Sequence, residues 1–236
     1  LSRGKSRRMS LTDEETAVIP GGDLRKWRDG LQATFPLVGG LRRRWAMDAL
    51  ERHRNQPDAI LVLAEALEAI DEDVARRAFV ALSRLTASAA VDALCALWAN
   101  KRDERLGQII IERHYVATGP AALRVLSGLK CGAIDVLRQC DAEPIPHLAT
   151  AMQDPDTEIR QNALAVLQGL RNSRGVDALC ALWANKRDER LEEIIVERRY
   201  VAAGPPAMRV LSGLKCGAID VLSQSDAEPI PDLVTA

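Results

Sequence analysis

The stretch VDALCALWANKRDERL begins at Val91 and occurs again, unchanged, at Val176. It opens a longer ungapped repeat, in which residues 91–151 match residues 176–236 at a constant offset of 85 positions. Only eleven of the aligned positions differ. A fixed internal period is typical of solenoids, propellers and arrays, in which each unit packs on its neighbours. The repeat therefore predicts a fold built from similar units.

The composition favours helices and excludes several classes of protein. Aromatic residues make up only 3% of the chain, and Ala and Leu fill the apolar positions, whereas β-sheets favour aromatic and β-branched residues. The net charge of -1 gives no overall electrostatic attraction to nucleic acid or to an anionic membrane. No apolar run approaches the roughly 20 residues that span a bilayer. We therefore expect no membrane association.

The cysteines indicate a reducing compartment. The chain has five cysteines, an odd number, and none forms a C-x-x-C motif. Cys95 and Cys180 lie between Leu and Ala in apolar runs, where cysteine is typically a small buried hydrophobe. The sequence thus predicts a cytoplasmic protein with reduced thiols.

Apolar periodicity and turn residues divide the chain into three regions. Residues 1–22 are polar and end in Pro-Gly-Gly, which predicts a flexible lead-in. Residues 23–56 predict divergent helices, and the candidates for the apolar side of the second one are Trp45, Met47 and Leu50. From Pro57 to residue 236 the pattern is regular, with three antiparallel helix pairs in each 85-residue period.

One helix carries a known signature. The sequence DPDTEIRQNALAVLQGL, Asp154 to Leu170, resembles the second helix of a HEAT repeat, especially the short variety first described in bilin lyases. That pattern is D-P-x-x-x-V-R-x-x-A-x-x-A-L, and the matching residues are Asp154, Pro155, Ile159, Arg160, Ala163 and Leu167. The equivalent helix 85 residues earlier departs from it, since Ala75 occupies the Arg position.

The resemblance covers about residues 57–236 and implies an all-α, right-handed α-solenoid, an armadillo-like superhelix of antiparallel HEAT-like helix pairs. In HEAT proteins the second helices line the concave face and bind proteins, less often nucleic acid. In bacteria such arrays look like the sensor or assembly arms that are attached to signalling NTPases. The resemblance therefore implies a bacterial-like segment of a multidomain protein.

Comparison of the two copies argues against catalysis. His114 is replaced by Arg199 and His147 by Asp232, so neither imidazole could act as a metal ligand or general base in both copies. No Ser-His-Asp arrangement, phosphate-binding Gly loop or Cys/His metal spacing is present in the sequence. We predict a protein that is not an enzyme and uses no metal or cofactor.

The differences between the copies define a candidate binding face. A helix is predicted from residue 104, beginning ERLGQIIIERHYVA, and Gly119-Pro120 terminates it. Apart from Gln108, the differences on this helix fall at residues 107, 111, 114 and 118, a spacing of i, i+4, i+7 and i+11, and lie opposite the apolar stripe of Leu106, Ile109 and Ile110. The candidate binding face comprises Gln108, Ile111, His114, Thr118, Glu193, Val196 and Arg199. The alternative is that exposed positions simply drift faster.

Basic residues form the other candidate site. Arg113 and Arg198 fall within the apolar stripe, so we expect buried guanidinium groups that pair with a capping Asp of a neighbouring repeat or bind a ligand anion. The loops 100–105 and 185–190 present Lys101, Arg102, Lys186 and Arg187, which could contact phosphates or form solvated turns. Trp98 and Trp183 are more typical of packing anchors than of exposed binding residues.

The leading hypothesis is a non-enzymatic scaffold for protein–protein interaction. A nucleic-acid-binding module that uses the basic strip is the alternative. A bilin-lyase-like role in chromophore handling is a second alternative, suggested only by the kind of repeat. Because residue 236 falls within a helix of the period, we expect that the native polypeptide continues, or that this open end self-associates or is covered by a partner.

Overall fold

The computed structural model describes residue 19, residues 21–33 and residues 38–218. Within these ranges the chain forms thirteen α-helices and no β-strand, which confirms the predicted all-α class. The predictions for residues 1–18 and for the end of the second copy, residues 219–236, lie outside the described residues.

The first of two compact units ends at Gly119. Its described helices are α1 (Gly21–Leu31), α2 (Gly39–Arg52), α3 (Pro57–Ala66), α4 (Glu72–Leu82), α5 (Ser88–Lys101) and α6 (Glu104–Arg113). They form the pairs α1–α2, α3–α4 and α5–α6. The first helices of successive pairs contact one another, α1 with α3 and α3 with α5, and so do the second helices α2 and α4.

The second unit begins at Pro120. Its described helices are α7 (Ala121–Lys130), α8 (Ile134–Leu137), α9 (Ile145–Ala151), α10 (Thr157–Gln168), α11 (Ser173–Lys186), α12 (Glu189–Arg198) and α13 (Pro206–Lys215). The pairs are α7–α8, α9–α10 and α11–α12. First helices again contact first helices, from α7 through α9 and α11 to α13, and α10 contacts both α8 and α12.

Aspartates cap the N-termini of the second helices α4, α6, α10 and α12. Asp103 caps α6, since its Oδ1 accepts hydrogen bonds from the N–H groups of Arg105 (2.8 Å) and Leu106 (3.2 Å). Asp71, Asp156 and Asp188 cap α4, α10 and α12 in the same manner. Each such cap satisfies amide groups that the helix itself leaves unpaired and contributes about 1 kcal/mol. In the sequence, Asp71, Asp103 and Asp188 directly precede helical stretches, which is the position that favours a capping aspartate.

The core consists of the apolar stripes that the periodicity predicts. On α10 and just after it, the buried stripe is Ile159, Ala163, Val166, Leu167 and Leu170. On α4 and just after it, the equivalent buried stripe is Val74, Ala78, Ala81, Leu82 and Leu85. Trp98, Trp183, Cys95 and Cys180 are also buried, as their positions in apolar runs predict.

Trp45 departs from the prediction for the N-terminal helices. Helix α2 buries Met47 and Leu50 together with Ala46 and Ala49, but Trp45 is 53% exposed. Because successive helical residues are rotated by about 100°, the buried face centres between Ala46 and Leu50 and leaves Trp45 on the opposite flank. The prediction is right for Met47 and Leu50 and wrong for Trp45.

Candidate protein interface

Helices α6 and α12 end earlier than their apolar pattern suggests. His114 follows α6 in the left-handed conformation, with φ 50°, and Arg199 follows α12 with φ 51°. The N–H of Tyr115 then donates to the carbonyl of Ile110 at 3.0 Å, and Tyr200 does the same to Ile195 at 2.9 Å. This is the Schellman geometry that ends a helix. The prediction that α6 continues to residue 117 is therefore wrong. Glycine is the usual residue at the left-handed position that ends a helix, and because the sequence has His and Arg there, it carries no sign of the stop.

The early stop changes the candidate binding face. Thr118 lies in the loop after α6, and its N–H donates to Asp92 Oδ1 at 2.7 Å while its hydroxyl contacts Asp92 Oδ2 at 3.2 Å. Gly107 is buried. The predicted arc of i, i+4, i+7 and i+11 is therefore not a single exposed helix face. Thr118 serves to hold its own loop.

The same loop contact occurs in the second copy. Asp177 Oδ1 accepts hydrogen bonds from the N–H groups of Ala203 (2.6 Å) and Gly204 (3.2 Å). A Cβ atom at Gly204 would lie 3.1 Å from the Asp177 carboxylate, and one at Gly119 would lie 3.1 Å from that of Asp92. A carboxylate on each first helix thus fixes the loop that follows the second helix.

The other members of the candidate binding face reach the surface. Gln108 and His114 are exposed and Ile111 is half-buried in the first copy. In the second copy Glu193 and Arg199 are exposed, and Val196 is 41% exposed. The invariant stripe lies on the inside, since the buried residues are Leu106, Ile109, Ile110, Leu191, Ile194 and Ile195.

Arg113 and Arg198 do not lie in the core. Each is the last residue of its helix, and each is exposed. The prediction of buried guanidinium groups is wrong because the helix stops where the apolar stripe would have turned them inward. A basic residue in the last turn is favourable there because it faces the negative end of the helix dipole.

The basic loops are organised around the buried tryptophans. Arg102 and Arg187 adopt the left-handed conformation at the ends of α5 and α11, with φ 53° and 54°. The guanidinium of Arg102 lies 5.2 Å from the ring centre of Trp98, and that of Arg187 lies 5.7 Å from that of Trp183. Lys101 and Lys186 are exposed. Each arginine therefore makes a cation–π contact with the tryptophan of the helix that it follows.

One difference between the copies creates a network in the second unit. Glu192, which replaces Gly107, accepts a 3.2 Å hydrogen bond from Trp183 Nε1 and lies 2.5 Å from Lys215 Nζ. The hydrogen bond from Lys215 lowers the pKa of Glu192 below its ordinary value, and the indole of Trp183 adds to this effect. Helices α11, α12 and α13 are thereby joined through one carboxylate.

A cleft of about 450 Å³ lies between the second helices α10 and α12. We call it the α10–α12 cleft. The residues that line it are Met152, Arg160, Gln161, Leu164, Gln168, Arg190, Glu193, Ile194 and Glu197. Its volume falls within the range of about 300–1,000 Å³ that is usual for ligand pockets.

Sequence reasoning placed only Glu193 of these residues in a binding site. Val196 and Arg199 do not line the cleft. Leu164 was missed, although it is an apolar residue outside the buried stripe of its own helix and is 40% exposed. An apolar residue out of phase with the core stripe is the signal that could have located the cleft.

Two further findings concern ligands and membranes. Nowhere in residues 19, 21–33 and 38–218 do three or more His, Cys, Asp or Glu side chains come together as a metal site. None of the helices in those ranges combines the length and the apolar character that crossing a bilayer requires.

No family model, curated protein or solved structure matches the chain.

Proposed function

We propose that the chain is a non-enzymatic scaffold of HEAT-like helix pairs, an α-solenoid, that binds a partner protein through its second helices. The observation that carries this proposal is the contrast within α6 and α12. The apolar residues common to both copies are buried, whereas the exposed Gln108 and His114 are replaced by Glu193 and Arg199. Such a design keeps the framework constant while the exposed chemistry varies.

Two observations support the repeat scaffold and the choice of a protein partner. Within each unit, first helices contact first helices and second helices contact second helices, which is the packing expected of stacked helix pairs. The exposed residues of α12 mix both charges, as in Glu193, Glu197 and Arg198, and two arginines of the basic loops stack on tryptophans. Mixed charge suits a protein surface better than a polyphosphate.

We place the scaffold in the cytoplasm, where buried thiols such as Cys95 and Cys180 stay reduced.

A pull-down from lysate of the source organism, with and without nuclease, tests the proposal. The bait is the full chain, and the comparison is a variant that carries Ile111→Glu, His114→Glu and Arg199→Glu. We expect a protein that is retained after nuclease treatment by the parent and lost with the variant. Circular dichroism of both chains checks that the variant keeps its helices.

A matched control carries the same number of glutamates on exposed residues of first helices, Leu61→Glu, Ala89→Glu and Arg174→Glu. This control should retain the partner. If only nucleic acid is recovered and nuclease abolishes it, the basic strip is the site and the proposal fails. Equal loss with the variant and the control would also contradict binding through the second helices.

A further inference from the structure

The two copies differ in how they satisfy their charged groups at equivalent positions. In the first unit, Arg105 Nη1 donates to the carbonyl of Leu67, and Gln108 Nε2 donates to Glu112 Oε1 at 2.9 Å. The polar side chains along this side of α6 are thus bound within the unit.

In the second unit the equivalent side chains, Arg190 and Glu193, lack these hydrogen bonds. Glu193 replaces Gln108 and has no N–H to donate to Glu197, which instead accepts a 3.0 Å hydrogen bond from Gln168. Arg190, the equivalent of Arg105, and Glu193 make no side-chain hydrogen bond or ion pair with any described residue. Both line the α10–α12 cleft. A cation and an anion therefore face the cleft one helical turn apart and without partners there.

The apolar part of the cleft supplies an anchor point. Met152 and Ile194, which are buried, and Leu164, which is 40% exposed, all line the cleft. The guanidinium of Arg160 is already engaged, since it donates to the carbonyls of Asp154 (2.7 Å) and Pro155 (2.9 Å). The charged side chains of the cleft that make no hydrogen bond or ion pair with a described residue are thus Arg190 and Glu193, which lie beside one apolar surface.

We propose that the α10–α12 cleft of the second unit binds an amphipathic helix of a partner protein. An apolar side chain of that helix packs on Leu164, an acidic side chain pairs with Arg190, and a basic side chain pairs with Glu193. This inference rests on the proposed function and narrows it to one cleft and one class of partner. Helices that place apolar anchors in a groove bind in this way.

The charges select a protein helix over nucleic acid. A phosphate backbone brought to Arg190 would also meet Glu193 and Glu197, and like charges placed together oppose binding. A helix can present both signs of charge one turn apart, and this matches the separation of Arg190 and Glu193 on α12. The equivalent positions of the first unit offer no such pair, because Arg105 and Gln108 are bound within that unit.

A displayed peptide library tests the inference with the full chain as target. The probe is a phage library of Ala-rich helices of about 14 residues, in which one central stripe is randomised. We expect selected peptides to share an apolar residue flanked by an acidic and a basic residue. The charge-reversed variant Arg190→Glu/Glu193→Arg should weaken their binding about tenfold or more, and a peptide with both charges exchanged should restore it.

Matched substitutions in the first unit provide the control. Arg105→Glu/Gln108→Arg changes the equivalent positions and should leave peptide binding unchanged, whereas Leu164→Asp should weaken it about as much as the charge reversal does. Thermal unfolding of each variant, followed by circular dichroism, separates a lost contact from a lost fold.

Three outcomes would overturn the inference. They are a failure to enrich any peptide, equal weakening by the control pair, and no rescue by the charge-exchanged peptide. If these occur while the lysate pull-down still yields a protein that the second-helix variant loses, the proposed function stands and only the cleft assignment fails. If the pull-down itself fails with every bait, the broader proposal fails as well.

Discussion

The indole of Trp183 donates a 3.2 Å hydrogen bond to the carboxylate of Glu192. The equivalent tryptophan of the first copy, Trp98, is buried with a glycine, Gly107, at the position of Glu192. No described residue accepts a hydrogen bond from the Trp98 indole. The exchange of glycine for glutamate therefore gives the tryptophan of the second copy a polar partner that the tryptophan of the first copy lacks among the described residues.

The first prediction concerns the pH dependence of this link. Because Lys215 lowers the pKa of Glu192 below 4.5, the stabilisation is present above that value and is lost as the pH falls through the lowered pKa. Glu192→Gln should therefore lower the Tm at neutral pH, and the difference from the parent should vanish in acid. Thermal unfolding as a function of pH measures this difference.

Glu193→Gln is the control for that prediction. Glu193 is the adjacent exposed carboxylate and has no partner among the described residues. Its substitution should change the Tm little at any pH. A loss of equal size in both variants would mean that the network around Glu192 contributes nothing specific.

The second prediction concerns the helix stops at His114 and Arg199. Both residues have φ near +50°, where a side chain costs about 1–2 kcal/mol and glycine is at ease. Part of that gain is offset by the greater chain entropy that glycine loses on folding. His114→Gly and Arg199→Gly should each raise the free energy of unfolding by about 0.5–1 kcal/mol. Urea unfolding provides the measurement.

Arg113→Gly tests whether the stability gained with glycine at residues 114 and 199 comes from the left-handed conformation of those two positions. Arg113 is one residue earlier, within α6 and exposed, so a glycine there should lower the free energy of unfolding by up to about 1 kcal/mol. A gain at Arg113, or a loss at His114 and Arg199, would contradict the assigned left-handed geometry.

The third prediction concerns Asp156, which caps α10 and lies 2.8 Å from Lys130 Nζ. Partial burial acts to raise the pKa of Asp156, but the hydrogen bonds from Lys130 and from the N–H of Glu158 outweigh it and lower the pKa below 3.8. Asp156→Ala should lower the free energy of unfolding by about 1–2 kcal/mol, as measured in urea. This stabilisation is present above pH 3.8 and is lost as the pH falls through the lowered pKa.

Asp156→Asn separates the two roles of that carboxylate. An asparagine can still cap the helix but cannot pair with Lys130, so its effect should be smaller than that of alanine and should disappear in acid. If Asn and Ala destabilise the chain equally, the cap contributes little and the ion pair dominates.

Local sequence signals predicted the helices well and the surface poorly. Asp71, Asp103 and Asp188 were identifiable as caps because their chemistry acts within three residues. The end of α6 was not, because His114 adopts a left-handed conformation in which glycine is the usual residue. The α10–α12 cleft depends on two helices packing side by side, so Leu164 and Arg190 meet there only in three dimensions.

The fourth prediction concerns the reactivity of the thiols. Burial raises the pKa of Cys180 to about 12, and it raises that of Cys140 to about 11, with the charge of Asp141 adding to the effect. Because the thiolate is the reactive form, iodoacetamide should modify the fully buried Cys180 of the native chain more slowly than the half-buried Cys140, and both far more slowly than in the urea-unfolded chain. Mass spectrometry of tryptic peptides quantifies each site. Equal modification rates of Cys180 in the native and the unfolded chain would contradict its burial on α11, where its Sγ contacts the carbonyl of Tyr200 after the end of α12.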